Sequence, residues 1–87
     1  MNPLDMETLF ITIFGVGCTK HREMRENLTD IADTEKSVNI TIKEVSDVDS
    51  FLEKGIHEVP CLAVNGEVVV RGRVPSKEEL IKLLRGS

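Results

Sequence analysis

Thr8-Leu9-Phe10-Ile11-Thr12-Ile13-Phe14, followed directly by Gly15-Val16-Gly17-Cys18-Thr19-Lys20-His21, is the stretch whose reading decides the fold. Its first seven residues are β-branched and aromatic with almost no polar face, the pattern of a buried strand. Gly15-Val16-Gly17 breaks that run. From Cys18 the apolar period lengthens to that of a helix, with His21, Met24, Leu28, Ile31 and Ala32 on one stripe. Lys20, Arg22, Glu23, Arg25, Glu26 and Asp30 fall mostly outside the stripe and form a solvated face.

Downstream, Ser37-Val38-Asn39 is expected to turn the chain, and Ile40, Ile42 and Val45 alternate roughly with polar residues as a second, less buried strand. Ser46 with Asp49 is a weakened capping box ahead of a helix of two to three turns that carries Val48, Phe51 and Leu52 and ends at Gly55. Val59-Pro60-Cys61-Leu62-Ala63-Val64 reads as a short apolar strand entered through a proline. Asn65-Gly66 is a strong hairpin signal, and Glu67-Val68-Val69-Val70-Arg71 is the returning strand. Pro75-Ser76 with Glu79 opens a last helix with Leu80, Ile81, Leu83 and Leu84 on its apolar face. The order is βαβα followed by a ββ hairpin and a helix. Strand, helix and strand at the front imply a parallel pair, and the hairpin adds antiparallel strands. An α/β domain with a four-stranded mixed sheet and helices on both faces is therefore expected.

Length and composition bound the function. At 87 residues the chain can enclose one core, so a single domain over residues 8–85 is expected behind a polar lead at residues 1–7. With 40% hydrophobic but only 3% aromatic residues, that core must be aliphatic, built around Phe10, Phe14 and Phe51. Eleven Lys and Arg against 15 Asp and Glu give a net charge of −4. With no basic block and no set of rings for bases to stack on, nucleic acid is not an expected partner. Residues 1–7 lack the basic head and apolar run of a secretory signal, and nothing approaches a membrane-spanning length, so a cytoplasmic protein without a membrane partner is expected. Two cysteines, Cys18 and Cys61, are too few for a secreted disulfide scaffold and are read as thiols at rest.

Cys18 is the most informative position. It follows a glycine-rich turn after a buried strand and opens a helix, where terminal N–H groups and the macrodipole favour an anion and hence a thiolate. Lys20 adds to this, as does His21 when protonated. The alternative is a small buried apolar residue. His21 lies on the same helix face as Cys18 and has two readings, a partly buried histidine beneath the loop or an acid/base group.

Taken together, the strand, Gly15-Val16-Gly17-Cys18-Thr19-Lys20-His21, Val59-Pro60 before a short strand, Asn65-Gly66 and the stretch from Gly72 to Glu79 resemble the small thioredoxin-fold redox-active disulfide proteins, of roughly glutaredoxin size, whose site reads Gly-Cys-x-x-Cys. The resemblance spans Thr8 to Leu84. It implies that Cys18 is the attacking cysteine, that Pro60 is a cis proline against the active-site sulfur, and that the backbone of Val59 receives an extended substrate. Position 21 is where the resemblance places the second, resolving cysteine, and here it is His21, which cannot attack a mixed disulfide. Cys61, next to Pro60, is a candidate replacement for that thiol; its other reading is a small buried residue.

The expected activity is thiol–disulfide exchange through the single thiol of Cys18, a monothiol-type oxidoreductase chemistry. His21 would be proton donor or thiolate stabiliser, protein or glutathione thiols and disulfides the partners, and no cofactor is required. Two alternatives stand beside it. One is a redox-inactive module that keeps the groove at Val59 and Pro60 for binding. The other is a metal carrier using Cys18, His21 and Cys61, with His57 as a conceivable fourth ligand, although the set falls short of a structural site and no metal is expected.

Overall fold

The computed structural model describes residues 7–34 and 38–84. The polar lead lies outside the described residues except for Glu7, which opens the first strand, and so do Ser37 of the expected turn and Arg85 at the domain end. The elements are β1 (Glu7–Phe14), α1 (Thr19–Thr34), β2 (Val38–Val45), α2 (Val48–Glu53), β3 (Cys61–Val64), β4 (Glu67–Arg71) and α3 (Lys77–Leu84). The sheet is four-stranded and mixed, in the order β2-β1-β3-β4. β1 runs parallel to β2 and antiparallel to β3, and β3 pairs antiparallel with β4.

Period-two alternation sends the side chains of β1 to two different cores. Leu9, Ile11 and Ile13 enter the larger one with Met24, Leu28 and Ile31 of α1, Leu62 of β3, Val70 of β4 and Leu80 and Leu84 of α3. Phe14 enters the smaller one with Ile56, Cys61 and Ala63, against which Val45, Phe51 and Val68 pack. Phe14 and Phe51 meet edge to face with ring centroids 6.1 Å apart. α1 and α3 thus cover one face of the sheet and α2 part of the other. Asn27 of α1 donates to the Pro75 carbonyl and Asp30 pairs with Lys77 at 2.7 Å, fastening α1 to the start of α3.

Five expectations need correction. Phe10 is exposed rather than part of the core, because it projects on the α2 face and that helix reaches only the Phe14 end of β1. Val38 and Asn39 already belong to β2 rather than to a turn. α2 has six residues, less than the two to three turns expected, and its N-cap is Asp47, whose carboxylate accepts from the Ser50 N–H, rather than Ser46. Val48 and Leu52 on that helix point to solvent, so Phe51 alone of the three apolar residues packs inward. Third-strand pairing begins at Cys61, leaving Val59 and Pro60 in the approach to it.

Elsewhere local chemistry and fold agree. Asn65 makes the tight turn between β3 and β4. It also clamps β1, its amide donating to the Phe10 carbonyl at 2.7 Å and its side-chain oxygen accepting from the Phe10 N–H at 2.9 Å. Ser76 caps α3 by accepting from the Glu79 N–H. The Glu79 carboxylate does not return to the cap as a full capping box requires; it takes a two-pronged grip from Arg73 instead.

Candidate active site

Cys18 stands at the N-cap of α1: its carbonyl accepts the Arg22 N–H at 3.0 Å, the first turn of the helix. The residue is exposed, and the first turn carries no acidic side chain. A cysteine here occupies the place where a capping oxygen or a bound anion ordinarily meets the free helix N–H groups. Gly17, immediately before it, has φ +78°, a left-handed conformation that glycine adopts without strain and that turns the chain out of the sheet into the helix. On the strand side the Gly15 N–H donates to the Val45 carbonyl at 3.0 Å, so the arch from Gly15 to Gly17 starts from a fixed point at the end of β1 and β2.

His21 fills the space under that arch and is 4% exposed. Its Nδ1 accepts the Gly17 N–H at 3.1 Å. An amide can only donate, so in this contact Nδ1 presents its lone pair, the proton of the neutral ring sits on Nε2, and Nε2–H donates to Glu44 Oε1 at 2.7 Å. The same oxygen also receives Arg25 Nη1 at 3.3 Å. A Cβ at position 15 would drive into His21 Nδ1 and lie 3.0 Å from Cγ, so Gly15 is required by the ring packed against it. Of the two readings of His21, the structure gives the buried histidine beneath the loop, with both nitrogens already engaged.

Cys61 is fully buried, and its Sγ donates to the Glu58 carbonyl at 2.9 Å. Val59–Pro60 between them is cis, the isomer the resemblance implied. The Pro60 carbonyl accepts the Gly72 N–H at 2.8 Å, and Arg71 donates to the Gly55 carbonyl, so the loop ahead of β3 is tied to the end of β4. Val59 is half-buried, and among the described residues its amide and carbonyl enter no backbone hydrogen bond. His57 is exposed. Among the described residues no group of three or more His, Cys, Asp or Glu is placed to hold a metal ion.

The sequence reading missed Glu44 and Arg25. The signal was present in β2: strict alternation from Ile40 and Ile42 leads to Glu44, not Val45, on the face that meets α1. Val45 belongs to the opposite face, with Phe14 and Phe51. An acid in a core-facing register beside the end of a strand is the kind of position that calls for a buried partner, and His21 is that partner.

The chain belongs to the thioredoxin domain family, whose model matches residues 9–85. It is 36% identical over 74 residues to a thioredoxin of Methanothermobacter thermautotrophicus, covering 85% of this chain and 95% of that relative. It is 32% identical over 75 residues to a thioredoxin of Methanocaldococcus jannaschii, covering 86% and 85%. Among solved structures, a chain from work on the thiol resolving mechanism in yeast mitochondrial 1-Cys peroxiredoxin via glutathione/thioredoxin systems superposes with a TM-score of 0.65. That match covers 93% of this chain and 80% of the other at 15% identity, which is a likeness of fold. Among the described residues no helix is long and apolar enough to cross a membrane.

Proposed function

We propose that this protein carries out thiol–disulfide exchange with one working thiol, Cys18. The Cys18 thiolate attacks a disulfide R–S–S–R′, forming Cys18–S–S–R and releasing R′–S⁻, which takes a proton from water. A second, external thiol R″–SH then attacks the mixed disulfide in its thiolate form, returning Cys18 and leaving as R–S–S–R″. The substrates are protein disulfides or glutathione disulfide, and the resolving thiol is glutathione or a partner protein, chemistry suited to a reducing compartment such as the cytoplasm.

The observation that carries this reading is the exposed Cys18 sulfur-bearing residue at the N-cap of a 16-residue helix, while the place of a second cysteine is held by a buried, doubly hydrogen-bonded His21. Membership of the thioredoxin family and the two archaeal relatives named thioredoxin support it. The unengaged backbone of Val59 beside cis Pro60 offers main-chain groups with which an extended substrate can pair as an added strand. The test is to incubate the reduced chain with glutathione disulfide and map adducts by mass spectrometry. One glutathionyl group on Cys18, removed by excess reduced glutathione and absent in Cys18→Ser, is expected. No adduct at Cys18 overturns the proposal.

A further inference from the structure

Glu44 lies on another strand, far from the thiol in sequence, yet its carboxylate fixes the ring on which the arch is moulded. The chain of contacts is short and directional. Arg25 Nη1 and His21 Nε2 share Glu44 Oε1, at 3.3 and 2.7 Å, and His21 Nδ1 holds the Gly17 N–H at 3.1 Å. Gly17 is bonded to Cys18. We propose that Glu44, acting through the His21 imidazole, is a positioning residue for Cys18. By accepting the Nε2 proton it keeps Nδ1 bare, and only a bare Nδ1 can hold the Gly17 amide and so set the arch that presents the thiol.

The chemistry of imidazole makes this link conditional. A neutral ring has one donor and one acceptor, and the partner of one nitrogen decides the role of the other. If nothing accepts from Nε2, the proton is free to sit on Nδ1, where it faces the Gly17 N–H donor to donor. The arch must then release the ring at its Gly17 end, next to Cys18, while its Gly15 end stays tied to the Val45 carbonyl. Nothing in the smaller core takes part: Glu44 sits on the α1 face of β2, and its 39% exposed side chain leaves it reachable by substitution without opening the interior. The inference rests on the reading of Cys18 as the reactive thiol, and the experiment separates the two.

The measurement is made on the full chain carrying Cys61→Ser, with and without Glu44→Leu or Glu44→Gln. Ring ¹⁵N and Gly17 amide resonances report the tautomer and the hydrogen bond, and iodoacetamide reports the alkylation rate of Cys18 at pH 7. The expected result is an Nε2–H ring with an acceptor Nδ1 in the parent. In Glu44→Leu, Nδ1–H is populated, the Gly17 amide shifts, and alkylation slows by about five- to ten-fold, the equilibrium worth of one net hydrogen bond. Glu44→Gln, whose amide oxygen still accepts from Nε2, restores both the tautomer and most of the rate, which general loss of stability in Glu44→Leu does not explain. The parent spectrum needs no variant to fold: an Nδ1–H ring there overturns the inference outright, as does a Glu44→Leu chain with parental shifts and rate. A parent Cys18 no faster than cysteine in an unfolded peptide, with the ring as expected, overturns the functional reading and the thiol-positioning role with it, while leaving the Glu44–His21–Gly17 contacts in place.

Discussion

Cys61 Sγ donates to the Glu58 carbonyl oxygen across the cis Val59–Pro60 peptide, at 2.9 Å. The second thiol of the chain is therefore spent inside the loop ahead of β3 and is closed to solvent. In a Cys18→Ser background, alkylation of Cys61 by iodoacetamide is expected to be negligible in the native state and to rise only as urea unfolds the chain. Fast native alkylation contradicts this placement.

Position 21 lies three residues beyond Cys18 on one helix face, the spacing at which a thiol can reach back to resolve a mixed disulfide. With histidine there, the chain should be a poor reductant of insulin disulfides when driven by a dithiol donor, and His21→Cys should raise turnover. Equal turnover in the two chains counts against the lack of an internal resolving group.

Gly15 and the His21 ring occupy one space. Gly15→Ala should lose about 1–3 kcal/mol of stability through forced displacement of backbone or ring, read from urea midpoints at unchanged slope. The same substitution in a His21→Ala chain should cost much less, because the obstructing ring is gone. Additive losses would show that the two residues do not meet.

Arg73 holds the Glu79 carboxyl below the ordinary carboxylate range, above all by its hydrogen bonds to that side chain; burial opposes this, and the charges of Arg73 and Lys82 add smaller pulls downward. A depressed folded value means that the pair's contribution is whole above the carboxyl's unbound value of 4.5 and disappears as pH falls through the lower folded one. Both residues lie at the surface, so the effect is small. Arg73→Met should therefore be slightly less stable than the parent at pH 7, with the difference shrinking toward pH 2.

Core and surface positions on β1 and α1 should separate sharply. Leu28→Ala, at a fully buried site between sheet and helix, should cost about 2–5 kcal/mol, whereas Phe10→Ser on the uncovered sheet face should change stability by about 0.5 kcal/mol or less. Urea unfolding of both variants checks the pair.

Most of the fold was legible because strong local signals agree with the tertiary answer. The apolar run of β1, the helical stripe from His21 to Ile31, Asn65-Gly66 and Ser76 each specify one element, and each forms. The three misplaced apolar residues share one physical cause. Phe10, Val48 and Leu52 are apolar residues whose exposure is set by how far a six-residue helix extends over a sheet face, a length no periodicity reports. At the site, Cys18 was readable from its place at a strand-to-helix turn. The roles of His21 and Cys61 were not, because each depends on a partner distant in sequence or hidden in a loop: Glu44, 23 residues on, and the Glu58 carbonyl.

The most direct measurement is the stoichiometry of thiol release when the reduced native chain meets an excess of a chromogenic aryl disulfide. Attack by Cys18 liberates one aryl thiol and leaves a mixed disulfide; an internal resolving thiol would expel the second. One equivalent per chain, released quickly and lost in Cys18→Ser, is the expected result. Two equivalents with formation of a Cys18–Cys61 disulfide, or none at all, would contradict a protein that works through a single exposed thiol.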